Sequence, residues 1–237
     1  MAARPTYSFG EPDWDTVTRW LHLDEVDDGP VWMLNLMRYR PVAVYADGRT
    51  SSISGREADD LYSPVGPLEA IGATVPLLAD VTGQSGAEPT WDRVAIALYP
   101  TRRSFFEMQQ RDDFKAQYVH KEAGMETTIV MGCVPATLSA PPPDAAGDLV
   151  LRVRRFAEGE RPGSDPAGVS PVVTFDVDGV VLGDGRSWDE ARFDRVAPGA
   201  LDALGRVPGV ADQFVLTIDP FIEDLAASVV ARRGAGT

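Results

Sequence analysis

Apolar residues recur with two different periods along this chain. From residue 31 to 40 the run VWMLNLMRYR is apolar almost throughout, with Trp32, Leu34, Leu36 and Arg38 alternating with Met33, Asn35 and Met37. That content predicts a strand covered on both faces. Comparable runs predict strands at 75–82, 91–99, 127–134, 149–156 and 213–218, and a hairpin over 172–182 turning at Asp178-Gly179. Helical spacing falls between them. Trp14, Val17 and Leu21 share one face near the N-terminus. Ser54 and Glu57 have capping-box spacing ahead of the stripe Ala58, Leu61, Val65 and Leu68, which Pro64 and Pro67 divide and Gly72 closes. Thr101 opens a region carrying Phe105, Phe106 and Met108; polar residues 109–113 break it before a piece with Phe114 and Tyr118 that Gly124 ends. Ser187 and Glu190 repeat the capping-box spacing and predict a helix ending near Gly205, while Asp219-Pro220 predicts the cap of a last helix.

The order of elements over residues 1–138 is a helical extension followed by β-α-β-β-α-β, the split βαβ or ferredoxin-like arrangement. Residues 139–147 are rich in proline and alanine and read as a linker, and 148–237 as a second α+β half. Asp47-Gly48-Arg49 precedes a helix containing PLEAIG, and Asp184-Gly185-Arg186 precedes one containing ALDALG; Tyr62 and Phe193 fall at similar places. The second half therefore reads as a decayed internal repeat.

Composition narrows the function classes. With 237 residues, 44% hydrophobic and 24% charged, the chain has the makeup of a globular protein. A formal charge of −14 opposes phosphate backbones, so nucleic acid is not an expected partner. No apolar run reaches the ~20 residues that span a bilayer, and no secretory core precedes the first helix, so a cytoplasmic protein without a membrane partner is expected. The single cysteine, Cys133, excludes an intrachain disulfide and a multi-cysteine metal site. Lysine occurs only at positions 115 and 121.

The run GPVWMLNLMRYR, the ADGR and SGRE segments before the first long helix, WDRVAIALYPTRRSFFEM and YVHKEAGMETTIVMGC together cover residues 29–135. In these segments the chain resembles the small bacterial domain-of-unknown-function family thirteen-thirty, within the dimeric α/β-barrel superfamily. The resemblance implies a ferredoxin-like unit whose four-stranded sheet meets another, across a homodimer or within one chain as an intrachain pseudo-dimer. Relatives in that superfamily include cofactor-independent monooxygenases, haem enzymes, lyases and isomerases, so the fold selects no single reaction. Lys121 stands where arginine is common in the family's stretch around His120.

The candidate chemistry is sparse. His120 is the expected acid/base, with Asn35, Arg38 and Tyr99 as polar groups aimed at a carbonyl or enolate oxygen, and Tyr62, Trp91, Phe106 and Tyr118 as walls around a small apolar substrate. The expected activity is proton transfer or cofactor-independent oxidation; the alternatives are a non-catalytic ligand-binding or dimerisation protein, or haem held by His120. No cofactor is otherwise expected, since two histidines about a hundred residues apart give no zinc spacing. VVTFDVDGVVL, with Asp176 and Asp178, matches the first motif of haloacid-dehalogenase-like phosphatases. No lysine follows Lys121, and too little chain remains after Asp178 for a doubly wound domain, so that reading is set aside. Cys133, in an apolar run, reads as a buried hydrophobe.

Overall fold

The computed structural model describes residues 7–139, 146–157, 163–205 and 207–234. Most of the expected linker, residues 140–145, lies outside them. The first half runs β1 (Glu11–Pro12), α1 (Trp14–Leu21), β2 (Val31–Tyr39), α2 (Gly55–Leu61), α3 (Val65–Ala70), β3 (Thr74–Gly86), β4 (Arg93–Tyr99), α4 (Arg102–Gln110), α5 (Asp112–Gly124) and β5 (Met125–Leu138). The second runs β6 (Asp148–Phe156), β7 (Val169–Gly183), β8 (Glu190–Val196), α6 (Leu201–Leu204), β9 (Val210–Glu223) and α7 (Leu225–Gly234).

Apart from the two-residue β1, which pairs at the end of β7, the strands form one antiparallel ring in the order β7-β5-β2-β4-β3-β9-β6-β8, and β8 pairs back onto β7. This corrects the expected ferredoxin-like α+β unit of the dimeric α/β-barrel type with a C-terminal α+β half. The fold is a closed eight-stranded antiparallel β-barrel within one chain. Two seams make the difference: β5 with β7, and β3 with β9, each hydrogen-bonded over many residues. Local patterning reveals which strands exist, whereas closure depends on which distant edges meet. Each half contributes its strands to the ring in the same spatial order, fourth, first, third, second: β5-β2-β4-β3 and β9-β6-β8-β7.

Three further expectations are corrected. Asp178-Gly179 is no turn but the middle of the fifteen-residue β7. Residues 190–196 are strand β8, not helix. Pro220 lies inside β9, where the pairing slips between Ala79 and Leu78, and the last helix begins at Leu225. Gly179 answers to packing. A Cβ there would sit 2.7 Å from Thr16 Cγ2, and one on Gly132 would sit 2.2 Å from Trp20 Cη2. These two glycines let α1 lie directly on β7 and β5, with Trp20 fully buried.

Alternation sorts each strand. Trp32, Leu34 and Leu36 of β2, Val94, Ile96 and Leu98 of β4, and Leu149, Leu151 and Val153 of β6 join one cluster with Phe175, Phe193 and Phe214 that fills the ring. Cys133 is buried in it, as expected. Leu225 and Val229 of α7 belong to the same cluster, and Trp32 Nε1 donates to Ser228 Oγ at 3.0 Å. The interior is a packed core and leaves the outer faces to carry any site.

Candidate functional site

The sequence places α4 and α5 over the outer face of β2, β4 and β5. Thr101 and Ser104 form a capping box at the start of α4, and Asp28 accepts from the Arg102 amide at 2.7 Å, adding a carboxylate to the positive end of that helix. Arg111 separates α4 from α5. The C-terminal end of α5 meets the N-terminal end of α2 backbone to backbone: a Cβ on Gly124 would sit 2.3 Å from the Gly55 carbonyl oxygen. This crossing fixes α5 against Tyr62, the residue that follows α2.

Between helices and wall lies a cavity of about 300 Å³. Its floor is Met33 and Asn35 of β2, Tyr99 of β4 and Thr128 and Val130 of β5; α4 and α5 supply Phe105, Phe106, Phe114, Tyr118 and Lys121. Trp14 and the segment around Tyr7 and Phe9 close one side. The aromatic walls hold one another. Tyr62 stands edge-on to Phe114 at 6.0 Å and to Tyr118 at 6.2 Å, and Tyr99 edge-on to Phe105 at 5.4 Å, geometries worth about 0.5–1.5 kcal/mol each.

Of the residues expected at the site, Asn35, Tyr62, Tyr99, Phe106 and Tyr118 meet in this cavity. Three do not. Arg38 lies near the end of β2, partly exposed and paired with Glu126 at 3.4 Å. Trp91 is buried inside the ring, edge-on to Phe214 at 5.6 Å. His120 faces away from the cavity, its Nδ1 2.9 Å from the Tyr45 hydroxyl. The matched phosphatase-like aspartate, Asp178, is held by Arg102 at 2.7 Å and Arg19 at 3.0 Å on the outer wall. Burial raises its pKa, but the two guanidinium groups outweigh it and keep the carboxyl below its usual range.

Sequence reasoning missed Lys121 as a site residue. Phe114, Tyr118 and Lys121 stand at i, i+4 and i+7, so one face of α5 carries two aromatic rings and the lysine. His120, one position earlier, is turned about 100° round the helix. The Lys121 ammonium lies 5.2 Å from the Tyr62 ring centroid and 3.8 Å from Met37 Sδ. No carboxylate among the described residues pairs with it within 4.0 Å. Desolvation pushes its pKa below the usual lysine value, and the nearby Asp59 charge offsets part of that shift. Asp59 itself is committed to Tyr39, whose hydroxyl donates to it at 2.6 Å, and to Arg93 at 3.4 Å.

The phenols behave differently. Burial pushes Tyr62, Tyr99 and Tyr118 well above the usual tyrosine range, so each is a neutral donor at physiological pH. Tyr99 donates weakly to Met108 Sδ at 3.4 Å. The Tyr62 and Tyr118 hydroxyls have no hydrogen-bond partner among the described residues. The Asn35 amide donates to the Met33 carbonyl at 3.0 Å. The arrangement is an apolar, mostly aromatic chamber with one amine, phenol donors and one amide, suited to a flat molecule carrying an oxygen substituent. No group of three or more His, Cys, Asp or Glu side chains able to hold a metal ion occurs among the described residues. No helix among them is long and apolar enough to cross a membrane.

No protein-family model matches the chain, so the family resemblance of residues 29–135 is not confirmed, and no curated protein matches it. Among solved structures, the chain is similar to a protein of unknown function from Rhodopseudomonas palustris, the RPA0582 protein, at 27% identity and over 99% of that chain and 56% of this one. A methylated form of RPA0582 matches at 28% identity over 96% of its chain and 56% of this one; both have a TM-score of 0.46. A protein from Lactobacillus acidophilus NCFM named "putative monooxygenase" aligns at 11% identity and a TM-score of 0.37, over 94% of that chain and 81% of this one.

Proposed function

We propose that the protein is an enzyme that takes a small, flat, mainly apolar organic molecule into the outer-wall cavity and moves a proton on it. The observation that carries this reading is the cavity itself: about 300 Å³, walled by aromatic rings, with Lys121 set among them and held by no carboxylate among the described residues. In this reading the rings of Tyr62, Phe106, Phe114 and Tyr118 bury the apolar body of the ligand. Its oxygen lies within reach of Asn35, the phenol donors and Lys121. Negative charge developing on that oxygen is stabilised by donors already oriented, in a site with little water to screen them. Lys121 takes the part first assigned to His120, because a proton-transferring group must be within hydrogen-bond reach of the bound molecule.

The test is calorimetric titration with para-ethylphenol. Saturable binding with a negative heat-capacity change is expected, the mark of apolar burial. Asn35→Leu, which removes the amide and keeps the side-chain size, is expected to weaken binding about ten-fold, or about 1.4 kcal/mol. Absence of saturable binding to the wild-type chain overturns the reading.

A further inference from the structure

We propose that Lys121 is a carbonyl-reactive amine, and that the natural ligand of the cavity is an aromatic aldehyde or ketone which it holds as an imine. The inference rests on the cavity reading above and names its ligand class. Three observations converge on it. Lys121 lines the cavity, its Nζ 3.8 Å from the Met37 thioether sulfur and 5.2 Å from the Tyr62 ring centroid. No carboxylate among the described residues holds it as a paired ammonium within 4.0 Å. Two hydroxyl groups of the same chamber, on Tyr62 and Tyr118, have no partner among the described residues and so are free to donate to an incoming carbonyl oxygen.

A lysine amine attacks a carbonyl only when neutral, and an apolar pocket favours the neutral form. The direction of the Lys121 shift agrees with that requirement. The step balances without a further reactant. The Nζ lone pair adds to the carbonyl carbon as the C=O π bond opens onto oxygen, which takes up a proton and gives a carbinolamine. The nitrogen then gives up its remaining proton as the C–O bond breaks, and one water leaves for each imine formed. The imine nitrogen, once protonated, draws electrons from the imine carbon, so that in an aryl ketone or arylacetaldehyde a proton on the carbon beyond it becomes easier to remove, the electron pair moving to form the enamine. This is the same class of reaction as the proton transfer proposed above.

The sequence makes the test clean, because Lys115 is the only other lysine. It is exposed on another face of α5, its Nζ donating to the Gln110 carbonyl at 2.8 Å. The full chain is incubated with benzaldehyde and cyanoborohydride near pH 8, and the benzylated peptides are counted by mass spectrometry, the α-amino group being read separately. Lys121 is expected to exceed Lys115 by about ten-fold, because the cavity holds the aldehyde beside its amine. Lys121→Arg, which keeps a cation but forms no imine, is expected to lose that adduct while Lys115 is labelled as before. Saturating para-ethylphenol is expected to suppress labelling at Lys121 alone. Equal labelling of both lysines, or labelling of Lys115 only, in a protein that still binds para-ethylphenol overturns the imine and leaves the cavity reading intact. A chain that neither binds para-ethylphenol nor labels at Lys121 overturns both.

Discussion

The two halves of the ring present opposite outer faces. On the first, the outward positions of β2 are Met33, Asn35 and Met37, and helices α4 and α5 stand off them far enough to leave a chamber. On the second, the outward positions of β6 are Val150, Arg152 and Arg154, and the space is filled by ion pairs. Arg152, fully buried, is 2.7 Å from Asp194 and 3.0 Å from Asp165; Arg192 is 2.8 Å from Asp194 and also pairs with Asp165; Arg154 bonds Glu190 through Nε at 3.0 Å. Strand order is the same in both halves, but only the first pairs a weakly bonded wall with two long helices. The lesson is that burial alone does not make a site. Charges that satisfy one another are locked, whereas Lys121, half-buried beside the Tyr62 ring and paired with no carboxylate among the described residues, is the group proposed to act on a ligand.

The largest effect should come from breaking the locked face. Arg152→Ala strands the fully buried Asp194 with one partner and is expected to cost about 3–5 kcal/mol, the range for removing half of a buried pair. In urea titration the midpoint should fall accordingly, while labelling at Lys121 in the remaining folded protein is unchanged. A loss smaller than about 1 kcal/mol would mean that the second face is as loosely held as a surface and would erase the contrast. The next effect tests the seam that carries α1. Gly132→Ala drives a methyl group into Trp20 and is expected to cost about 1–3 kcal/mol by overpacking, read as a lower thermal midpoint.

The smallest effect runs the other way. Because the folded Lys121 pKa lies below its unfolded value of about 10.4, the unfolded chain binds that proton more tightly. The folded state is therefore penalised at neutral pH, and the penalty vanishes as pH rises through the unfolded value. Lys121→Met should remove it: the midpoint rises at pH 7 and the gain narrows toward zero above the lysine range, with benzaldehyde trapping lost at every pH. A variant that is destabilised instead would show that the amine is structural.

What could be read from the sequence was what neighbouring residues decide. The Ser54–Glu57 capping box, the division of the following helix at Pro64 and the apolar run of β2 all depend on local backbone and side chains, and all are present. Strand β8 was misread because its outward Arg192 and Asp194 look like a solvated helix face, when they are partners in a buried network spanning β6 and residue 165. The period-two alternation with inward Ala191 and Phe193 was the signal against a helix. Ser187 misled in the same way: Asp189, two residues on, is stitched into the sheet by accepting from the Phe156 amide at 2.7 Å. At the site, the floor and most of the walls followed from alternation and aromatic content. The amine proposed as the reactive group did not, because histidine is the familiar proton carrier and the choice between positions 120 and 121 turns on one residue of helical phase.

Closure within a single chain also sets the stoichiometry of change. In a ring assembled from identical copies, any substitution that hollows or charges one face does the same to its symmetry mate, so gains at a site are tied to losses at its twin. Here Asn35 on β2 and Arg152 on β6 are separate codons. One wall can be altered for chemistry while the other is kept for endurance, and neither alteration is doubled.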